Sequence, residues 1–132
     1  MSTFVDTSGL HAMLDAGTAQ HERAKAGWGR LLEDAEPLFT TSYVLVETYA
    51  LAQARFGLAA VRTLQADVFP AIDIVWVDQD LHRAALAALL TAQRRNLSLV
   101  DCVSFEAMRR AGVLRAFAFD RHFAQQGFQP VA

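Results

Sequence analysis

Four carboxylates stand where solubility alone does not explain them: Asp6, Glu47, Asp101 and Asp120. Asp6 closes the apolar run Thr3-Phe4-Val5, and Asp120 closes Ala116-Phe117-Ala118-Phe119. Glu47 and Asp101 lie inside apolar helical stretches, where a lone charge is expensive to bury. Each has a plain explanation by itself. Asp6 and Asp120 can be helix N-caps. Glu47 has Tyr43, Val44, Ala50 and Leu51 at helical spacing, so it falls on an apolar face and can pair with an arginine or a tyrosine hydroxyl. Ser98-Leu99-Val100-Asp101 matches a capping box. Together the four are less easily dismissed, because acids converging on one pocket repel unless a cation or protonation holds them. With one cysteine, Cys102, and no histidine pair at helical zinc spacing, the donors suit Mg²⁺ or Mn²⁺ better than zinc. Such an ion can lower the pKa of water and neutralise charge on a phosphate. Asp6 and Asp101 are then the main ligands, Glu47 a ligand or water-positioner, and Asp120 an outer partner or a second-ion ligand. His122, next but one to Asp120, could be a general base; a packed or solvated ring is the plainer role.

The elements that must position these acids alternate. A buried strand over Thr3 to Asp6 leads into a helix that Thr7-Ser8 can cap. A more polar helix covers about Ala19 to Glu33, and Pro37 precedes a brief strand at Leu38-Phe39-Thr40. Thr41-Ser42 starts a helix to about Phe56 with Gly57 as its terminator, and another runs from Leu58 to about Asp67 before Pro70. Ile72 to Val77 is a strand by its β-branched content. Asp78 to Arg94 reads as an amphipathic helix with Leu81, Ala85, Ala88, Leu89 and Ala92 on one stripe. Ser98 opens a helix that Gly112 ends; Leu114 to Phe119 is a strand, and Asp120 to Gln126 a closing helical turn. Phe128 to Val131 can add an edge strand, where Pro130 is tolerated. Strand–helix alternation predicts an α/β fold with a mostly parallel sheet covered on both faces. Ligands of such sheets bind beyond the carboxyl ends of the strands, where Asp6 and Asp120 fall.

At 132 residues, 53% hydrophobic and 20% charged, the chain reads as a single folded domain over 1–132 and not as a disordered segment. No apolar run is long enough to span a bilayer, and Asp6 interrupts the place of a signal peptide. A cytoplasmic protein without a membrane partner is the expectation. Cys102 reads as a small core residue. The net charge of −2 argues against indiscriminate nucleic-acid binding. Every basic residue except Lys25 is arginine, whose planar fork matches phosphate oxygens. Arg94, Arg95, Arg109, Arg110 and Arg121 are candidates for backbone phosphates, with solvated helix faces as the plain alternative. Tyr49, Phe56, Leu64 and Phe69 are candidates for an apolar surface that takes a partner helix or a second protomer, or else for core.

Four segments in order resemble the PIN-domain family, and within it the toxins of VapBC-type toxin–antitoxin pairs. They are Phe4-Val5-Asp6-Thr7-Ser8, Val44-Leu45-Val46-Glu47-Thr48, Ser98-Leu99-Val100-Asp101-Cys102-Val103-Ser104-Phe105 and Phe119-Asp120-Arg121-His122-Phe123. The resemblance implies a small α/β/α sandwich with a central, mostly parallel sheet of four to five strands, usually a homodimer. It implies a Mg²⁺- or Mn²⁺-dependent endoribonuclease with a cognate antitoxin, and carries the acid quartet onto Asp6, Glu47, Asp101 and Asp120. Supporting hydroxyls fall on Thr7 or Ser8 near the first acid and on Ser104 near the third. Members often have a hydroxyl residue two before the fourth acid; here it is Ala118. The substrate expected is single-stranded or loop RNA, with tRNA and rRNA equally open. The alternative is a non-catalytic PIN-like module for binding or dimerisation.

Overall fold

Phe4 and Val5 are both fully buried, yet they join different cores, because successive side chains of a strand point to opposite faces. They belong to β1 (Thr3–Val5), the middle of a five-stranded sheet with β2 (Leu38–Thr41), β3 (Asp73–Val75), β4 (Arg115–Phe117) and β5 (Gln129–Pro130). The strand order is β3-β2-β1-β4-β5 and every pairing is parallel. The structure, a computed structural model, describes residues 1–132. Its helices are α1 (Thr7–Leu14), α2 (His21–Glu33), α3 (Ser42–Phe56), α4 (Leu58–Thr63), α5 (Gln79–Ala92), α6 (Leu99–Ala111) and α7 (Arg121–Gln125). One core packs Phe4 and Ala116 against α5, α6 and α7 through Leu81, Val103, Met108 and Phe123. The other packs Val5 and Phe117 against α1 and α2 through Leu10, Trp28 and Leu31. The result is the expected α/β/α sandwich. No helix is long and apolar enough to cross a membrane.

Several local expectations need correction. Asp6, not Thr7-Ser8, caps α1: its side chain accepts from the Ser8 N–H. The helix from Leu58 ends at Thr63 and continues as a π-helical turn (Leu64–Val68) and a 3₁₀ turn (Phe69–Ala71). Pro70 cannot continue an α-helix, and the looser turn buries Leu64, Val68 and Phe69 together. Leu64 and Phe69 are thus core, and Tyr49 packs on Phe69 with ring centroids 5.1 Å apart. The exposed apolar side chains of this region are Val46, Leu51, Phe56 and Leu58. The strand predicted to reach Val77 stops at Val75 and leaves Trp76 70% exposed. β3 is an edge strand paired only with β2, so no second neighbour prolongs it. On α5 only Leu81 and Ala85 are buried, while Ala88 and Ala92 are exposed. An outer helix packed chiefly on α6 needs only a narrow stripe. Gly57 (φ 80°) and Gly112 (φ 68°) end α3 and α6 as expected.

Candidate active site

The carboxyl ends of β1 and β4 lie side by side, with Val5 opposite Phe117, so the residues that follow them, Asp6 and Asp120, open on the same edge of the sheet. The N-terminal turn of α6 adds Asp101, and the second turn of α3 adds Glu47. All four line one cleft, with Thr7, Ser8, His11, Asn96 and Ser98 as polar neighbours and Leu51 as the one hydrophobic residue. The four acids therefore share one cleft, in which the three donors standing within 4.8 Å of one another are Asp101, Asp120 and His122, and two of the acids cap helices as well. Asp6 caps α1 and Asp120 caps α7. Asp101 sits in the first turn of α6 and gives its N–H to Ser98 Oγ at 3.0 Å. Helix N-termini carry partial positive charge, so capping and clustering cooperate here: the cap fixes one side of each carboxylate and leaves the other to the cleft.

Ser8 joins the two strand ends. Its hydroxyl donates to Asp6 Oδ2 at 2.6 Å and accepts from the N–H groups of Phe119 at 2.9 Å and Asp120 at 3.2 Å. The supporting hydroxyl near the first acid is thus Ser8. Thr7 also borders the cleft, but its Oγ1 is engaged 3.1 Å from Thr48 Oγ1 in a buried contact between α1 and α3. Ser8 also anchors the backbone entering Asp120, where Ala118 offers no hydroxyl. Ser104 does not support Asp101: its hydroxyl donates to the Val100 carbonyl at 2.9 Å, the usual fate of a mid-helix serine.

Burial pushes the Asp6 carboxyl from its ordinary 3.8 to about 7, opposed by hydrogen bonds from Ser8 and reinforced by the charges of Asp101 and Asp120. Asp101 is also raised, first by burial and then by Asp120. Asp6 and Asp101 thus both resist ionisation in this cleft, which is the condition a bound cation relieves.

His122 was missed. Its ring is 7% exposed, with Nδ1 at 2.9 Å from Asp120 Oδ1 and 3.6 Å from Asp101 Oδ2. The shorter contact is out of line with a ring N–H, and neither ring nitrogen has a hydrogen-bond partner. One donor atom from each of Asp101, Asp120 and His122 lies within 4.8 Å of the others. Buried donors lacking partners and acids reluctant to ionise together fit a divalent cation. The signal available in the sequence was an Asp N-cap followed two residues later by a histidine, which sets both on one turn.

The arginines divide. Arg121 follows Asp120 and is exposed, and Arg94 and Arg95 are exposed on the segment leading to Asn96. Arg109 and Arg110 lie at the other end of α6 from Asp101, about 12 Å along the axis at the usual rise per residue. Arg109 donates to Gln126 Oε1 at 2.8 Å and lies over the Phe128 ring. Arg110 pairs with Asp80 at 3.0 Å and Glu106 at 3.1 Å, in a separate apolar cleft beside Phe39, Trp76 and Leu81 at the amino ends of β1 and β2. These two face away from the acids, and Arg110 is already neutralised.

The PIN domain family model matches residues 3–129. The 23S rRNA-specific endonuclease VapC20 of Mycobacterium tuberculosis is 36% identical over 129 residues, which are 97% of this chain and 96% of that protein. The crystal structure of VapC20, described as a sarcin–ricin loop cleaving toxin, superposes with a TM-score of 0.83 at 37% identity over 98% of both chains. FitAcB from Neisseria gonorrhoeae superposes over 98% of both chains with a TM-score of 0.71 at 14% identity, a likeness of fold alone.

Proposed function

The chain belongs to the PIN-domain family, and on that premise we propose that it is a metal-dependent endoribonuclease, the toxin of a toxin–antitoxin pair, whose substrate is a ribosomal RNA loop. The observation that carries the reading is the convergence of Asp6, Glu47, Asp101 and Asp120 on one polar cleft. The endonuclease relative, matched along nearly its whole length, supports the choice of rRNA over tRNA.

The residues divide the work. Asp6 and Asp101, both buried, would hold the ion, with Glu47 and Asp120 completing its surroundings. Mg²⁺ or Mn²⁺ bound there supplies a nucleophile at neutral pH and offsets charge on the scissile phosphate. Ser8 ties Asp6 to the backbone entering Asp120, which supports assigning both carboxylates to one centre. Arg94, Arg95 and Arg121 reach phosphates flanking the cut. Arg109 and Arg110 have no part in this. Partners are a cognate antitoxin and a second copy of the chain; the exposed apolar side chains Val46, Phe56 and Leu58 outside the cleft support such contacts.

Incubation of purified ribosomes or 23S rRNA with the antitoxin-free protein tests the reading, with Mg²⁺, Mn²⁺ or EDTA and beside Asp101→Asn. One metal-dependent cut in a loop, absent from the variant, is the expected outcome. Cleavage that persists in Asp101→Asn or in EDTA would overturn the assignment of the site, and no cleavage by folded protein would favour a binding module.

A further inference from the structure

We propose that His122 is itself a ligand of the metal centre, its Nδ1 joining Asp101 and Asp120 and biasing the site toward Mn²⁺ over Mg²⁺. The inference rests on the metal-dependent reading above and adds a nitrogen donor to an all-oxygen set.

Burial and direction carry it. An imidazole that is 7% exposed ordinarily finds a partner for at least one nitrogen, and this one has none. Nδ1 is the atom turned toward the acids, 2.9 Å from Asp120 Oδ1 and 3.6 Å from Asp101 Oδ2. Adjacent donors around an octahedral ion with bonds of about 2.1 Å stand about 3 Å apart. A hydrogen-bonded pair has a similar separation but a different direction, and the ring N–H is out of line with the nearer carboxylate.

The local sequence holds the ring in place. Asp120 Oδ1 accepts the His122 backbone N–H at 2.8 Å, which fixes carboxylate and ring on one turn, and the fully buried Phe123 pins that turn to the core. A metal-bound histidine usually gives its other N–H to an outer acceptor. Nε2 has none here, so the cap and the packing orient the ring instead. Nitrogen ligation has a chemical consequence. Mg²⁺ prefers oxygen and sheds water reluctantly, whereas imidazole suits borderline transition metals.

Pulsed electron paramagnetic resonance of Mn²⁺ added to the metal-free protein reads directly bound ¹⁴N. Nitrogen coupling is expected in the wild type and absent in His122→Gln and His122→Phe. Mn²⁺ affinity should fall about tenfold or more in both variants, while Mg²⁺ affinity, measured by competition, changes far less. Mn²⁺ bound without nitrogen coupling in the wild type overturns the proposal even if neither variant folds. Equal losses for both ions also overturn it and make His122 a positioning residue for the carboxylates. Nitrogen-free binding leaves the metal-dependent nuclease standing, whereas a wild type that binds neither ion removes both readings.

Discussion

Ser8 is the residue on which the site depends most without itself being charged. Ser8→Ala removes a donor to the buried Asp6 and strips the Phe119 and Asp120 N–H groups of their acceptor. Unsatisfied buried groups cost about 1–3 kcal/mol each, so the variant should melt measurably lower and lose more in kcat than in KM, with Ser8→Thr restoring part. Unchanged melting would show that the hydroxyl bridge carries no weight. Asp6 predicts a pH dependence. Between 3.8 and about 7 the folded metal-free protein keeps a proton that the unfolded chain has released, so stability falls as pH rises through that window. At about 1.4 kcal/mol per pKa unit the loss is up to about 4 kcal/mol. Asp101, also raised, adds the same sign. Asp15 and Glu36 are held low, chiefly by hydrogen bonds from the Gly17 N–H and the Thr3 hydroxyl; their contributions are lost only in acid, below the range of the test. Thermal melts in EDTA should therefore give a lower Tm at pH 8 than at pH 5, and saturating Mn²⁺ should shrink the difference. A Tm in EDTA that rises from pH 5 to 8 would refute the burial argument.

At Gly9 the backbone of α1 lies directly on Phe117 of β4. A Cβ on Gly9 would stand 2.4 Å from the Phe117 carbonyl oxygen and 2.6 Å from its ring, so no other residue lets α1 lie on β4 at this spacing. Overpacking of a core costs about 1–3 kcal/mol. Gly9→Ala should lower Tm and also cut activity, because the shift that relieves the clash moves Asp6 away from Asp120. Full activity in Gly9→Ala would mean that the strand ends adjust independently. The element boundaries legible in the chain are those with a local cause: Gly57 and Gly112 as terminators and Ser98 as a cap. Those that were not have causes elsewhere in space. β3 is short because nothing pairs on its outer edge, and α5 buries a narrow stripe because α6 is its main neighbour.

Across the whole molecule, a net charge of −2 and an acidic cleft leave only a few arginines to hold RNA. The three phosphate contacts proposed for Arg94, Arg95 and Arg121 would give a slope of about −2 in a plot of log K against log salt for single-stranded RNA. Binding of a loop RNA to Asp101→Asn, read by fluorescence anisotropy, should show that shallow slope. Arg121→Gln should reduce it by about 0.7 and Arg110→Gln should leave it unchanged. A steeper slope, or one that depends on Arg110, would place the RNA on another face.

The order of types along the chain determined the α/β/α sandwich, the acid quartet and the caps that hold it, because hydrophobic periodicity, turn residues and isolated charges in apolar runs are local properties. Tertiary structure alone decided that Ser8 and not Thr7 bridges the strand ends, that Ser104 is spent on its own helix, and that Arg109 and Arg110 face away. It also decided that His122 stands between two carboxylates. The physical reason is common to all four: a side chain's partner is set by the direction in which the packed backbone aims it, and direction is fixed only when β1, β4 and α6 are laid beside one another.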